Sequence, residues 1–226
     1  MACFALVPSP FLGPSCWASV ASELTSRGNS VLIPTPVDAG VPPYWPQHAA
    51  AAAIAVPRVE NLVLAGHGGA GPLLPAIADA ANCDVGVYLF VDADLPLHGV
   101  TRMELLRTAD IQQGAQVDQR LRAGGHHPDW TDAGLSEVVP GARARAEVLS
   151  EFKPRARDFF LEPMPVPAGW PDALCAYLRL SEAYEGAAAR AEGLGWPVRR
   201  LQAGHFHTVV HPAEVADAII ELCGLG

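Results

Sequence analysis

No run of lysine or arginine occurs anywhere in these 226 residues, and the formal net charge is −9. Nucleic acids and anionic membrane surfaces are gripped by clustered positive charge, so neither is expected as a partner. Cysteine is sparse and unpatterned. Cys3, Cys16, Cys83, Cys175 and Cys223 form no C-x-x-C pair, and their odd number resists a closed disulfide framework. Reduced, mostly buried thiols are the simpler expectation. The opening Met1 to Val7 lacks a basic leader region and ends at Pro8, and no window reaches the apolar length of a membrane span. The expected location is cytoplasmic. No internal repeat is visible, and the composition leaves the oligomeric state open.

What is present is apolar. Half of the residues are hydrophobic and 17% are charged, enough to bury a substantial core in one domain spanning 1–226. A small-molecule ligand suits such a chain better than a charged polymer.

Short apolar runs alternate with helical patterns. Phe4 to Val7 suits a buried strand, after which Trp17, Val20 and Leu24 recur at helical spacing until Gly28. Strands are expected at 31–33, 62–65, 85–91, 174–180 and 198–201. Helices are expected at 47–55, 72–81, 183–193 and from Pro212 onward, with a proline-rich loop over 34–46. This alternation signals parallel β-α-β units, whose strands are covered on both faces. Residues 97 to about 168 break the rhythm with a polar stretch around Leu105, Leu106, Leu121 and Leu149. An inserted helical cap is expected there.

Three blocks carry chemistry. The first is Leu6-Val7-Pro8-Ser9-Pro10-Phe11-Leu12-Gly13-Pro14-Ser15-Cys16-Trp17, after the first strand. The second is Leu62 to Leu74, an apolar strand, a glycine-dense turn Gly66-His67-Gly68-Gly69-Ala70-Gly71, and a helix start. The third is Gly204-His205-Phe206-His207-Thr208-Val209-Val210-His211-Pro212. Together, in this order, they resemble the α/β-hydrolase superfamily, especially small bacterial members related to esterases and hydroxynitrile lyases. The resemblance spans nearly the whole chain. It implies an α/β-hydrolase fold, with a central, mostly parallel sheet flanked by helices.

The departures matter as much as the matches. The nucleophile elbow reads G-x-S-x-G, and here Gly68 stands at the serine position. Where the family's H-G turn supplies a backbone N–H to the oxyanion hole, this chain has Pro8-Ser9-Pro10, and proline has no N–H. Losing one oxyanion donor costs about 2.7 to 4 kcal/mol of transition-state stabilisation. Losing a serine nucleophile costs on the order of 10⁶ in turnover in a serine protease. Acyl-enzyme chemistry is therefore not expected.

By resemblance His205 occupies the general-base position, and imidazole can take a proton from water or from an acidic C–H, O–H or N–H. Its orienting acid is open between Glu182, near the family's usual position, and Asp92, at an alternative one. Ser9, Pro10, Phe11, Gly68, Gly69, Asp94, His98 and His207 are the candidate substrate-binding residues. Trp130 and Trp170 are pocket-wall candidates, with plain packing as the competing role. The His205-x-His207 spacing lacks a third ligand, so neither metal nor other cofactor is expected.

The leading expectation is an atypical α/β-hydrolase-fold enzyme doing non-covalent acid-base chemistry, such as epimerisation, cyclisation or lysis of a small metabolite. Three alternatives remain: hydrolysis of a reactive ester or lactone by His-activated water, a non-catalytic binding protein, and dinucleotide binding. The last rests on Gly66 to Gly71, which satisfies G-x-G-x-x-G, with Asp92 further on.

Overall fold

The computed structural model describes residues 1–224. Six parallel strands form one sheet in the order β2-β1-β3-β4-β7-β8, with β1 at Cys3–Val7, β2 at Ser30–Leu32, β3 at Leu62–His67 and β4 at Val85–Val91. Strands β7 (Leu174–Arg179) and β8 (Val198–Arg200) complete it after a long excursion.

Alternation along each strand divides the core in two. Phe4 and Leu6 of β1, Val63 and Ala65 of β3, and Leu89 and Val91 of β4 share one apolar cluster. That face is covered by α1 (Ser15–Ser26), through Cys16, Trp17, Val20 and Leu24, and by α11 (Pro212–Leu222), through Val215, Ala216, Ala218 and Ile219. The intervening residues Ala5, Val7, Leu62, Leu64, Tyr88, Phe90 and Tyr177 point the other way. There they meet α2 (Tyr44–Ala53), α3 (Leu74–Ala81) and α9 (Glu185–Gly193).

Between β4 and β7 the chain leaves the sheet. A two-residue antiparallel ladder of β5 (Val100–Thr101) with β6 (Pro163–Met164) closes the neck of this excursion. It carries α4 (Arg102–Ala109), α5 (Ile111–Arg122), α6 (Asp132–Leu135), α7 (Ala142–Ser150) and α8 (Arg157–Leu161). The stretch has an apolar core of its own: Met103, Val117, Leu121, Phe159 and Phe160 pack with Tyr44, and Phe11 packs against them. Two caps start its helices. Thr101 and Glu104 form a reciprocal capping box on α4, and Asp110 accepts from Gln112 and Gln113 at the head of α5.

Two boundaries differ from the sequence expectation for physical reasons. Helix α2 starts at Tyr44, three residues before 47, because Pro46 is tolerated in a first turn. The N–H groups of Tyr44 and Trp45 find the Glu162 carboxylate at 2.6 and 2.8 Å. The helix expected over 72–81 begins instead as a 3-10 turn, Gly68–Leu73, before α3. The last short helix, α10 (His207–Val210), follows the loop that carries His205. No described helix is long and apolar enough to cross a membrane.

Candidate active site

Strand β3 ends at His67 and the chain reverses sharply at Gly68, whose φ of +55° lies in the left-handed region that glycine enters without penalty. Its neighbours are small because the turn is tight. A Cβ on Gly66 would sit 2.9 Å from Leu74 Cδ2, and one on Gly71 would overlap the carbonyl of Asp94. These contacts bring strand and helix together and fill the turn with protein, which argues against a pyrophosphate cradle there. A Cβ on Gly68 would lie 3.2 Å from both Cε1 and Nε2 of His205. The imidazole is therefore poised over the apex of the turn, where position 68 has no side chain to offer.

His205 donates from Nδ1 to Asp92 Oδ2 at 2.7 Å. Asp92 is fully buried just past β4, with φ +45°, and its carboxylate also accepts from Leu180 N at 2.9 Å, Ser181 N at 2.8 Å and Ser181 Oγ at 2.7 Å. Burial alone would raise its pKa. The hydrogen bond and charge of His205 and the Ser181 donors outweigh that and hold it below the usual carboxylate range. An anionic Asp92 fixes the tautomer with the proton on Nδ1, which leaves the Nε2 lone pair facing the turn.

The ring is held on other sides too. His67 stacks on His205 with centroids 4.2 Å apart, and Tyr184 stacks on it at 5.3 Å. Burial first, and then the neighbouring His205, push the His67 pKa down to about 3. Neutral His67 donates from Nε2 to the His205 carbonyl at 3.0 Å, pinning the loop backbone.

Glu182 is not brought to His205. Its side chain is 76% exposed and pairs with Arg179 at 3.0 Å, because it lies in the turn beyond β7 while the amides at the end of β7 receive Asp92 instead. His98 and His207 are likewise not brought to the centre. His98 is exposed and bonds the backbone of Val166 at the cap neck, and His207 Nε2 meets Glu214 at 2.8 Å across the start of α11. Trp130 packs against Phe152 and Phe206. Trp170 lines a separate cleft of about 270 Å³ with Tyr88 and Asp172.

The other candidates do converge. Ser9 is buried, with its Oγ 3.2 Å from where a Gly69 Cβ would sit, and it accepts the Phe11 N–H at 3.4 Å. Pro10 offers no donor, and its carbonyl is held by Arg155 Nη2 at 2.9 Å. Arg155 in turn pairs with Asp38 at 2.8 Å, and Asp38 meets the buried His48 at 2.6 Å. Phe11 stacks with Phe160 at 5.7 Å and meets Phe159 edge-on at 5.4 Å. The loop after β1 is thus clamped to the cap.

Asp94 sits near the pair, its carboxyl pushed up to about 6 by burial against the attraction of Arg102 and His205. A cavity of about 500 Å³ runs from Asp94 and Tyr184 past Leu95, Leu97 and Leu105 toward Arg190.

Three participants carried no sequence signal of their own: His67, Tyr184 and Arg102. His67 was visible only as a letter within the glycine-rich motif. Arg102 reaches the turn from the cap, where its Nη1 donates to the Gly69 carbonyl at 2.8 Å. Its spacing with Leu105 on one face of α4 is the one clue that could have suggested it.

No family model matches the chain. It is 24% identical over 246 residues to the carbendazim hydrolyzing esterase of Nocardioides sp. (strain SG-4G), covering 98% of this chain and 100% of that protein. An extracellular α/β-hydrolase from a Paenibacillus species superposes with a TM-score of 0.80 at 15% identity, covering 98% of this chain and 99% of that one. A histidine-to-alanine variant of tomato methylketone synthase I, complexed with β-ketoheptanoate, gives 0.75 at 14% identity, covering 99% of this chain and 98% of that one. The chain has the α/β-hydrolase fold.

Proposed function

We propose that this chain is a hydrolase of small activated esters or lactones that uses water, deprotonated by His205, in place of a side-chain nucleophile. The observation that carries the reading is the His205–Asp92 pair at 2.7 Å held over a residue 68 that is glycine. The likeness to a carbendazim hydrolyzing esterase along 98% of the chain supports hydrolysis as the reaction class.

In this mechanism Nε2 takes a proton from water while the water oxygen attacks the substrate carbonyl carbon. The resulting oxyanion meets the Gly69 N–H. Asp92 stabilises the imidazolium, which then gives its proton to the departing alkoxide as the C–O bond breaks, yielding acid and alcohol. Because Pro10 supplies no second donor, transition-state stabilisation is about 2.7 to 4 kcal/mol short of a full hole. Good leaving groups make up that difference, so activated substrates are favoured.

A second reading uses the same base for non-hydrolytic proton transfer, as in epimerisation, cyclisation or C–C lysis. The fold-level likeness to a methylketone synthase bound to a β-keto acid favours keeping it. Steady-state turnover of p-nitrophenyl acetate tests the hydrolytic reading. The wild-type chain turns it over, and His205→Ala loses about 10² to 10⁴ of the rate, the usual contribution of a positioned base. Equal rates in the two proteins overturn the assignment.

A further inference from the structure

The 500 Å³ cavity does not open onto the base. Its apolar walls are Leu95, Leu97, Leu105, Ala183 and Ala187, and neither His205 nor Gly68 belongs to its lining. Burial grades along it. Asp110, Gln113, Glu182 and Arg190 are exposed at the mouth, whereas Leu95 and Leu105 are buried and Asp94 and Tyr184 half-buried. The cavity therefore descends from solvent toward Asp94 and Tyr184.

Tyr184 is shared between the cavity and the catalytic pair. Its ring stacks on His205 with centroids 5.3 Å apart and planes 15° from parallel, and His67 stacks on the same imidazole at 4.2 Å. Two rings cannot stack on one face, so they hold opposite faces. The face of His205 nearer the cavity is thus the one that Tyr184 covers. Contact alone keeps the phenol there, because among the described residues its hydroxyl makes no hydrogen bond. The backbone beneath is fixed. Ser181 donates from N and Oγ to Asp92, and Glu182 pairs with Arg179, so the ring can turn between rotamers without moving the chain.

We infer that the cavity is the acyl pocket of the reaction, that it takes an uncharged apolar chain, and that the Tyr184 ring is the movable wall deciding whether such a chain reaches His205. This deepens the proposed function and rests on it for which part of the substrate enters. With the wall in place, small acyl groups react beside Gly68 without using the cavity, since the His205 side chain is 21% exposed. Asp94, Asp110 and Glu182 against Arg190 alone leave the lining net negative. Such a lining turns away a carboxylic acid and accepts a neutral chain.

Two readouts test this, and one needs no turnover. Octanamide, an uncharged chain, is titrated calorimetrically, and labelling of His205 by diethyl pyrocarbonate, mapped by mass spectrometry, reports access to the imidazole. Wild-type protein binds octanamide saturably, yet its His205 is labelled at the same rate with and without it. In Tyr184→Ala the cavity and the imidazole become continuous, and octanamide at about ten times its Kd slows labelling about tenfold, the factor 1 + [L]/Kd. The same variant raises kcat/KM for p-nitrophenyl octanoate relative to the acetate about tenfold or more over wild type, equivalent to burying roughly two methylenes. Tyr184→Phe keeps the ring and loses only an unbonded hydroxyl, so it matches the wild type in both readouts. No saturable binding of octanamide by the wild type, protection of wild-type His205 by it, or a Tyr184→Phe that behaves like Tyr184→Ala each overturn the wall. So does unprotected labelling or an unchanged chain-length ratio in Tyr184→Ala. If Tyr184→Ala does not fold, as judged by circular dichroism, Tyr184→Val takes its place with the same expectations. The expected labelling pattern with neither ester hydrolysed by any of the proteins leaves the wall standing and removes the proposed function. Hydrolysis of both esters at an unchanged ratio, with His205 unprotected in Tyr184→Ala, does the reverse.

Discussion

Position 68 is where one residue does most to shape the chemistry. The left-handed backbone there, φ +55°, and the 3.2 Å from a hypothetical Cβ to His205 Nε2 show that a side chain at this point would meet the base directly. Gly68→Ser therefore recreates a serine–histidine contact, yet Pro10 still withholds one oxyanion donor. We expect this variant to gain less than about tenfold in p-nitrophenyl acetate turnover, since one missing donor alone is worth 10² to 10³. A gain of several hundredfold would contradict the reading of the hole. Both Gly68 and His205 were legible in the sequence, because each sits inside a local motif. The carboxylate that His205 bonds was not. Two carboxylates followed two strand ends, and the choice of Asp92 depends on the amides of Leu180 and Ser181, which reach it across the sheet from β7. Arg102 was invisible for the same reason at longer range: 33 residues separate it from the carbonyl it touches.

Elements of the sheet were easy to read, since strands buried on both faces write themselves as continuous apolar runs and the helices between them carry a clear stripe. The cap was harder. Its helices are mostly polar, and its apolar core of Met103, Val117, Phe159 and Phe160 is assembled from separate segments, so no single window displays it. The start of α2 shows how one distant residue sets a boundary. Glu162, just before β6, accepts from the N–H groups of Tyr44 and Trp45 and places its negative charge at the helix head. Glu162→Ala is expected to destabilise the protein by about 1 kcal/mol, the usual worth of a helix cap. Urea denaturation monitored by circular dichroism checks this. An unchanged midpoint would show that the long-range cap contributes nothing.

Across the whole molecule, buried titratable groups set how stability responds to acid. His67 and His48 have pKa values pushed down to about 3 and about 4, in both cases chiefly by burial. Below their unfolded value of about 6.5 the unfolded chain binds two protons that the folded chain refuses, so stability falls as pH falls. Asp94 acts in the opposite sense. Its carboxyl is raised to about 6, so between there and its unfolded value of about 3.9 the folded chain holds a proton the unfolded one has released. These three groups together leave an excess of one proton on the unfolded side between about pH 6 and pH 4, a loss of about 1.4 kcal/mol per pH unit, and His127, Asp38 and Asp92, all lowered, add to it in the same sense. Unfolding free energies measured in urea at intervals across that window give this slope. A flat profile would mean that the two histidines are not held neutral.

The claim on which the account turns is that His205 activates water and no covalent intermediate forms. Intact-protein mass spectrometry on enzyme acid-quenched within milliseconds of mixing with excess p-nitrophenyl acetate tests this most directly. The account predicts the unmodified mass at every time point while product accumulates. An acetylated species that forms and decays at the rate of turnover would contradict it, and mapping that acetyl group to Ser9 would identify the nucleophile the account denies.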